Sequence, residues 1–341
     1  MSHYLLTGAG FSRNWGGWLA NEAFEYLLST PEVDDRLRGI LWEAKLRGEG
    51  FEGALATIQN AYANQRSAEA KDQLDRMTQA IISLFTAMQT AFNKFDHRKH
   101  NDLQVFLAHF DAIFTLNQDT LLETIYAGRV RWTERWYGSY LPYMKYISPP
   151  DPPYPFMLRE SLMPDQEFIT EENYQPIYKL HGSYNWFSEP EGERMLVVGG
   201  NKSANIGSSE ILARYQAEFR KKLSEPDTYL MVIGYSFNDD HINEAIQSAV
   251  TKGLKVFIID PLGVDVLDKR SGKAQIPEPL GDLMRTMIPG IIGASRRPII
   301  DILNGDQVEN DKVMKFFAAQ PAHVRIAKPT YVHIPEDPGY N

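Results

Sequence analysis

The sequence predicts an α/β protein: a parallel sheet with helices on both faces, carrying an inserted helical module. Three observations lead there. Five short runs rich in Ile, Val, Leu and Phe are apolar throughout, without alternation: HYLLT (3–7), AIFTL (112–116), IYKL (177–180), YLMVI (229–233) and KVFII (255–259). Continuous apolar runs of this length are the mark of strands covered on both faces, which are usually parallel. Four of the runs pass at once into GAGFS, NQDT, HGSYN and GYSFNDDH, and the fifth into Asp260-Pro261. In open α/β sheets, ligands sit beyond the carboxyl ends of the strands. Between the first two runs, Leu74, Met77, Ile81, Leu84, Met88, Phe92 and Phe95 recur every three or four residues, one apolar face of a long helix.

A chain of 341 residues holds roughly two domains' worth of material at about 150 residues each. We expect one main domain over 1–290, interrupted by a helical insert at about 31–109 and by an aromatic, proline-rich insert at about 132–175. The second insert includes PPDPPYP (149–155), which suits neither helix nor central strand. Residues 291–341, with a possible strand at 331–334, read as an extension and an interaction element. A net charge of −9 disfavours non-specific binding to nucleic-acid backbones. The absence of cysteine removes disulfides, thiol nucleophiles and thiolate zinc sites. The first residues show no basic leader, and the longest apolar runs fall short of the roughly 20 residues of a membrane helix. These features suit a cytoplasmic chain without a membrane partner.

The strand-end segments carry the chemistry. Gly8-Ala9-Gly10, between a strand and a helix, lets backbone approach a pyrophosphate. Arg13 stands where the dehydrogenase fingerprint has its third glycine, and a tight structural turn explains the segment equally well. Asn117 or Asp119 can cap the next helix, but capping does not explain Asn117, Gln118 and Asp119 in succession. His181 is aimed at the same edge, with Gly182 leaving space beside it. In GYSFNDDH, Gly234 permits close backbone approach, Ser236 offers a hydroxyl, and Asp239 or Asp240 caps a helix. A metal site from Asp239, Asp240 and His241 is disfavoured, because consecutive residues rarely converge on one ion. His97 and His100 lie in a polar HRKH loop and read as solvated. Asp260 ends its strand where a carboxylate can bridge two ribose hydroxyls.

GAGFS, T-L-N-Q-D, K-L-H-G and G-Y-S, in that order and each at a strand end, resemble the sirtuin-like family. The family's segments are GAG-x-S, a T-Q-N-x-D strand end, a His-Gly and a G-[TS]-S loop. The resemblance implies a Rossmann-like fold that binds NAD and breaks its nicotinamide–ribose bond. On that reading Gly8, Ala9, Gly10, Phe11 and Ser12 hold phosphates and ribose, Gln118 binds the substrate, Asn117 and Asp119 are catalytic residues at the nicotinamide ribose, and His181 is the catalytic base. Gly234 and Ser236 meet the adenosine side, with Asp260 at a ribose. Deacylating sirtuins carry a zinc module of four cysteines and a Pro-Asp-Phe-Arg segment after the first loop; this chain has no cysteine and reads Asn14-Trp15-Gly16-Gly17-Trp18-Leu19. The pattern is similar to the zinc-free branch of bacterial anti-phage systems, which hydrolyse NAD to nicotinamide and ADP-ribose. That branch implies no metal and no cofactor beyond NAD as substrate. It also implies homo-oligomers or a partner such as a HerA-type ATPase or a short Argonaute, without direct nucleic-acid binding. The alternatives are a protein deacylase or ADP-ribosyltransferase, and a non-catalytic NAD or ADP-ribose sensor.

Overall fold

The computed structural model describes residues 1–96, 99–126, 135–146, 158–159, 172–187, 194–196, 206–207, 209–268 and 282–318. Its strands are β1 (Ser2–Thr7), β2 (Ala112–Thr115), β3 (Gly138–Tyr140), β4 (Lys145–Tyr146), β5 (Leu158–Arg159), β6 (Tyr174–Lys179), β7 (Gly182–Phe187), β8 (Arg194–Leu196), β9 (Thr228–Ile233), β10 (Lys255–Ile259) and β11 (Ile291–Ser295). Seven of them form one sheet in the order β11-β10-β9-β1-β2-β6-β3, and every pairing in it is parallel. The five apolar runs are its five central strands. Strands follow β1 outward on one side through β2, and on the other through β9. The order therefore switches direction between β1 and β9, the position at which open α/β sheets form a ligand crevice.

Helices cover both faces because both faces are apolar. The helix Glu210–Leu223 lays Phe219 on Phe114 (ring centroids 4.9 Å apart) and Tyr215 on Tyr178 (5.1 Å). The helical module is built from Ala20–Ser29, Asp35–Leu46, Gly50–Gln65 and Ala68–Phe92. In the last of these Met77, Ile81, Leu84, Met88 and Phe92 are buried, as the periodicity requires. Asp34 and Ser67 cap their helices by accepting from Leu37 N–H and Ala70 N–H. The module begins about ten residues before the expected boundary at 31, because Ala23, Phe24 and Leu27 are buried in the same core.

Two other boundaries change. The insert expected over 132–175 contains β3, the edge strand of the main sheet, and Trp136 is buried with its indole N–H on Ala108 O at 3.1 Å. The segment 149–155 lies outside the described residues. Residues 291–318 are no appendage either. Strand β11 pairs in parallel with β10, and Phe316 and Phe317 are buried against His3 at the start of β1. An apolar strand and two aromatic side chains close the sheet's edge and floor, which an appended tail cannot do. The strand expected at 331–334 lies outside the described residues. A second, four-stranded sheet, β4-β5-β7-β8, leaves the main sheet directly after β6.

Among the described residues no helix is long and apolar enough to cross a membrane. Phe317 also stacks on His109 (4.7 Å) and meets Phe110 at 5.1 Å. Phe317→Ala is expected to cost about 3–5 kcal/mol, read as a fall in the urea midpoint.

Candidate active site

Ser295, Ile259, Ile233, Thr7, Thr115 and Lys179 pair in register across the sheet. The next residues continue the row: Asp260 N bonds Ser295 O, Gly234 N bonds Ile259 O, Gly8 N bonds Ile233 O, Leu116 N bonds Thr7 O, and Leu180 N bonds Thr115 O. Five strand ends thus stop level. From β6 to β10 the row covers four strand spacings, about 19 Å at roughly 4.8 Å each. At its centre the Thr7 hydroxyl bonds that of Thr115 (2.8 Å), which accepts from Asn117 N–H (3.0 Å).

Asn117 stands beside the first loop. Its Nδ2 donates to Gly8 O at 3.0 Å and to Ser12 Oγ at 2.9 Å. A carbonyl can only accept, so these partners fix which way the amide faces. Its Oδ1 makes no hydrogen bond among the described residues and is the acceptor open to a hydroxyl or a water. The buried Ser12 hydroxyl bonds the Asp119 carboxyl in turn. Burial pushes the Asp119 carboxyl above the usual carboxylate range, against the opposing pull of Lys179, Leu121 N–H and Ser12. Asp119 also caps the helix Leu121–Tyr126, accepting from Leu121 N–H at 3.0 Å.

His181 follows two residues after β6 and is 4% exposed. The two loops are tied together: Gln118 Nε2 donates to His181 O (3.4 Å), while Ser183 Oγ and Tyr184 N–H donate to Gln118 O (3.0 and 3.1 Å). Gly182, at φ +70°, turns the chain into β7. Facing His181 is a residue from the fourth loop: His241 Nε2 lies 3.3 Å from His181 Nε2.

With this geometry in view, the comparison with known families is decisive for the fold. Residues 111–270 match the SIR2-like domain. No curated protein matches the chain. The matched stretch includes Asn117, Asp119, His181, Gly234, Ser236 and Asp260, whereas the GAGFS loop precedes it. The sheet supplies what the match omits, because β1 lies between β2 and β9.

The glycines meet backbone rather than open space. A Cβ on Gly8 would lie 2.5 Å from Gly234 O, one on Gly10 2.7 Å from Gly234 Cα, and one on Gly234 2.4 Å from Gly10 C and Phe11 N. Gly10 N–H donates to Gly234 O (2.9 Å), which holds the two loops together, and Phe11 N–H donates to Gly8 O (2.9 Å), which closes the first loop on itself. Phe11 departs from its expected place: its ring is fully buried beside Trp15, in core packing. Ala9 and Ser236 are exposed on their loops. The Asp260 carboxylate accepts from Leu262 N–H at 2.8 Å, turning its own loop.

Two residues have partners that the sequence reading did not foresee. Lys179, fully buried at the end of β6, donates to Asp119 O (2.5 Å) and pairs with Glu123 (2.7 Å); a lysine inside an apolar run was the signal. His241 sits on the first turn of the helix Asp240–Val250. Its loop is locked, since Tyr235 Oη accepts from Asp239 N–H (3.0 Å) and donates to Asn243 Oδ1 (3.1 Å), and Asn243 Nδ2 donates to Phe237 O (2.9 Å). Buried Phe237 adopts φ +53° within this frame. Asp239 occupies the N-cap position without a side-chain cap bond, so Asp239 caps by backbone alone. Among the described residues, no group of three His, Cys, Asp or Glu could hold a metal ion.

Gly234→Ala adds both the Cβ overlap and a left-handed φ of +63°. It should cost at least about 1–3 kcal/mol by denaturant unfolding. A carboxyl whose folded pKa lies above its unfolded value, about 3.9, lends stability below that value and loses it as pH rises through the folded one. Wild type should therefore lose stability relative to Asp119→Asn on raising the pH from about 4, as followed by melting curves across pH.

Proposed function

We propose that this chain is an NAD+ glycohydrolase, cleaving the nicotinamide–ribose bond to give nicotinamide and ADP-ribose. The observation that carries the reading is the placing of Asn117, Ser12 and Asp119 in one hydrogen-bonded chain, tied through Gln118 to His181, at the level edge of a SIR2-like sheet. The reaction breaks the bond between ribose C1′ and the nicotinamide nitrogen through an oxocarbenium-like state. Nicotinamide leaves as a neutral molecule from a cationic substrate, so no general acid is required. A water oxygen then bonds C1′ and releases one proton. In this scheme Asn117 Oδ1 accepts from a ribose hydroxyl or from that water. His181, whose ordinary pKa is near 6.5, takes the proton at neutral pH. Asp119, through Ser12, holds the amide of Asn117 in place.

The lack of cysteine leaves no four-thiolate zinc module to shape an acyl-lysine channel, which favours hydrolysis over deacylation. We extend the proposal to the biology the motifs resemble. The chain is a cytoplasmic effector of a bacterial anti-phage system, acting as a homo-oligomer or with a partner such as a HerA-type ATPase or a short Argonaute. It takes NAD+ as substrate and needs no metal. The catalytic unit extends over the described residues to 318, with the helical module leaning on it where Phe85 stacks on Tyr184 (5.4 Å).

Purified chain incubated with NAD+, with and without candidate partners, should release nicotinamide and ADP-ribose in chromatograms. His181→Ala and Asn117→Ala should each lower turnover by about 10²–10⁴-fold while melting like wild type. Wild-type consumption by both variants would sink the assignment. Release only upon adding acylated peptide would reassign the chain as a deacylase, and NAD+ binding without release would make it a sensor.

A further inference from the structure

We propose that His241 is the positioning partner of His181, the two imidazoles sharing a single proton between their Nε2 atoms. The inference rests on the reading of His181 as the base. The rings come from segments 60 residues apart and meet at 3.3 Å, Nε2 to Nε2, with centroids 5.3 Å apart and planes inclined by 43°. A neutral imidazole has one N–H and one lone pair. At this separation one ring donates and the other accepts; two Nε2–H groups would face each other and break the contact. The pairing therefore ties the tautomer of each ring to that of the other.

The consequence for His181 follows from its burial. Where His181 Nε2–H is the donor at this junction, its Nδ1 holds the lone pair that takes a proton from the reacting water or ribose, and neutral His241 remains the acceptor that steadies the imidazolium. His241 is half-buried, and its own position is set by the locked loop from Tyr235 to Asn243. The acceptor is thus placed by a loop and helix separate from the strand end that carries His181. Two imidazole nitrogens at this distance could also grip a metal ion. Protein zinc sites use three or four side-chain ligands, and no third His, Cys, Asp or Glu joins this pair among the described residues.

The test uses the full chain labelled with ¹⁵N-histidine at neutral pH, where ring-nitrogen shifts report the tautomer. We expect His241→Ala to move the His181 ring signals toward those of a free tautomer mixture. The same change should lower kcat by about 10–100-fold, the usual effect of losing a hydrogen-bonded supporting residue, with KM and melting temperature near wild type. His241→Gln, whose amide can donate or accept, should restore most of both the signals and kcat. Unchanged His181 signals or unchanged kcat in His241→Ala would overturn the proposal. So would one equivalent of Zn²⁺ shifting both rings of the wild type, which would identify a metal chelate. If no variant and no wild type turns over NAD+, the hydrolase reading fails, and the ring spectra still decide whether His241 sets the state of His181.

Discussion

Gly234 and the turn Gly8–Gly10 meet backbone against backbone, with Gly8 N–H on Ile233 O at the end of β9, Gly10 N–H on Gly234 O, and no room for a methyl group on any of the three glycines. Every other placement at the carboxyl edge depends on this contact. It sits where the strand order reverses, so loops that would diverge in an open sheet are held together. From the Gly8 carbonyl the constraint passes to Asn117, and from the Gly234 loop to the helix that carries His241. The groups assigned to chemistry lie on either side of a joint made only of main chain.

A second layer of order lies beneath the loops. Lys179 is fully buried, and a buried charge is tolerated only when paired and hydrogen-bonded. Its ammonium group has the Glu123 carboxylate and the Asp119 carbonyl as partners. Geometry matters more here than net energy, since such pairs seldom add stability over apolar replacements. The latch fixes the end of β6 to the turn after β2, the two strand ends that supply His181 and Asn117. The hydroxyls of Thr7 and Thr115 extend the same polar seam to β1.

The central strands were legible because burial on both faces leaves an unbroken apolar run, and a chemically odd residue at its end stands out against it. What the local sequence could not show was what each odd residue touches. Gly8, Gly10 and Gly234 announced a close approach, but the approaching group is another loop of the same chain. Phe11 sits inside a motif and yet belongs to the core. His241 was weighed only with its neighbours in sequence, whereas its partner lies across the sheet. The residues after 290 looked like a tail because Ile291–Ser295 is short and partly exposed at an edge, where the apolar signal weakens. Strand β7 was hidden for a related reason: it follows His181 directly, so one segment is both loop end and strand start.

The loop from Tyr235 to Asn243 holds a bulky side chain in a backbone conformation that such residues rarely adopt, about 1–3 kcal/mol above the usual basins. That conformation persists because Phe237 is buried and its carbonyl is gripped by Asn243. A segment so over-determined has little freedom left to surrender when a small molecule arrives. On the proposed function, this part of the NAD+ site is therefore cast before the encounter, and affinity gained there is not diminished by the entropy of ordering it.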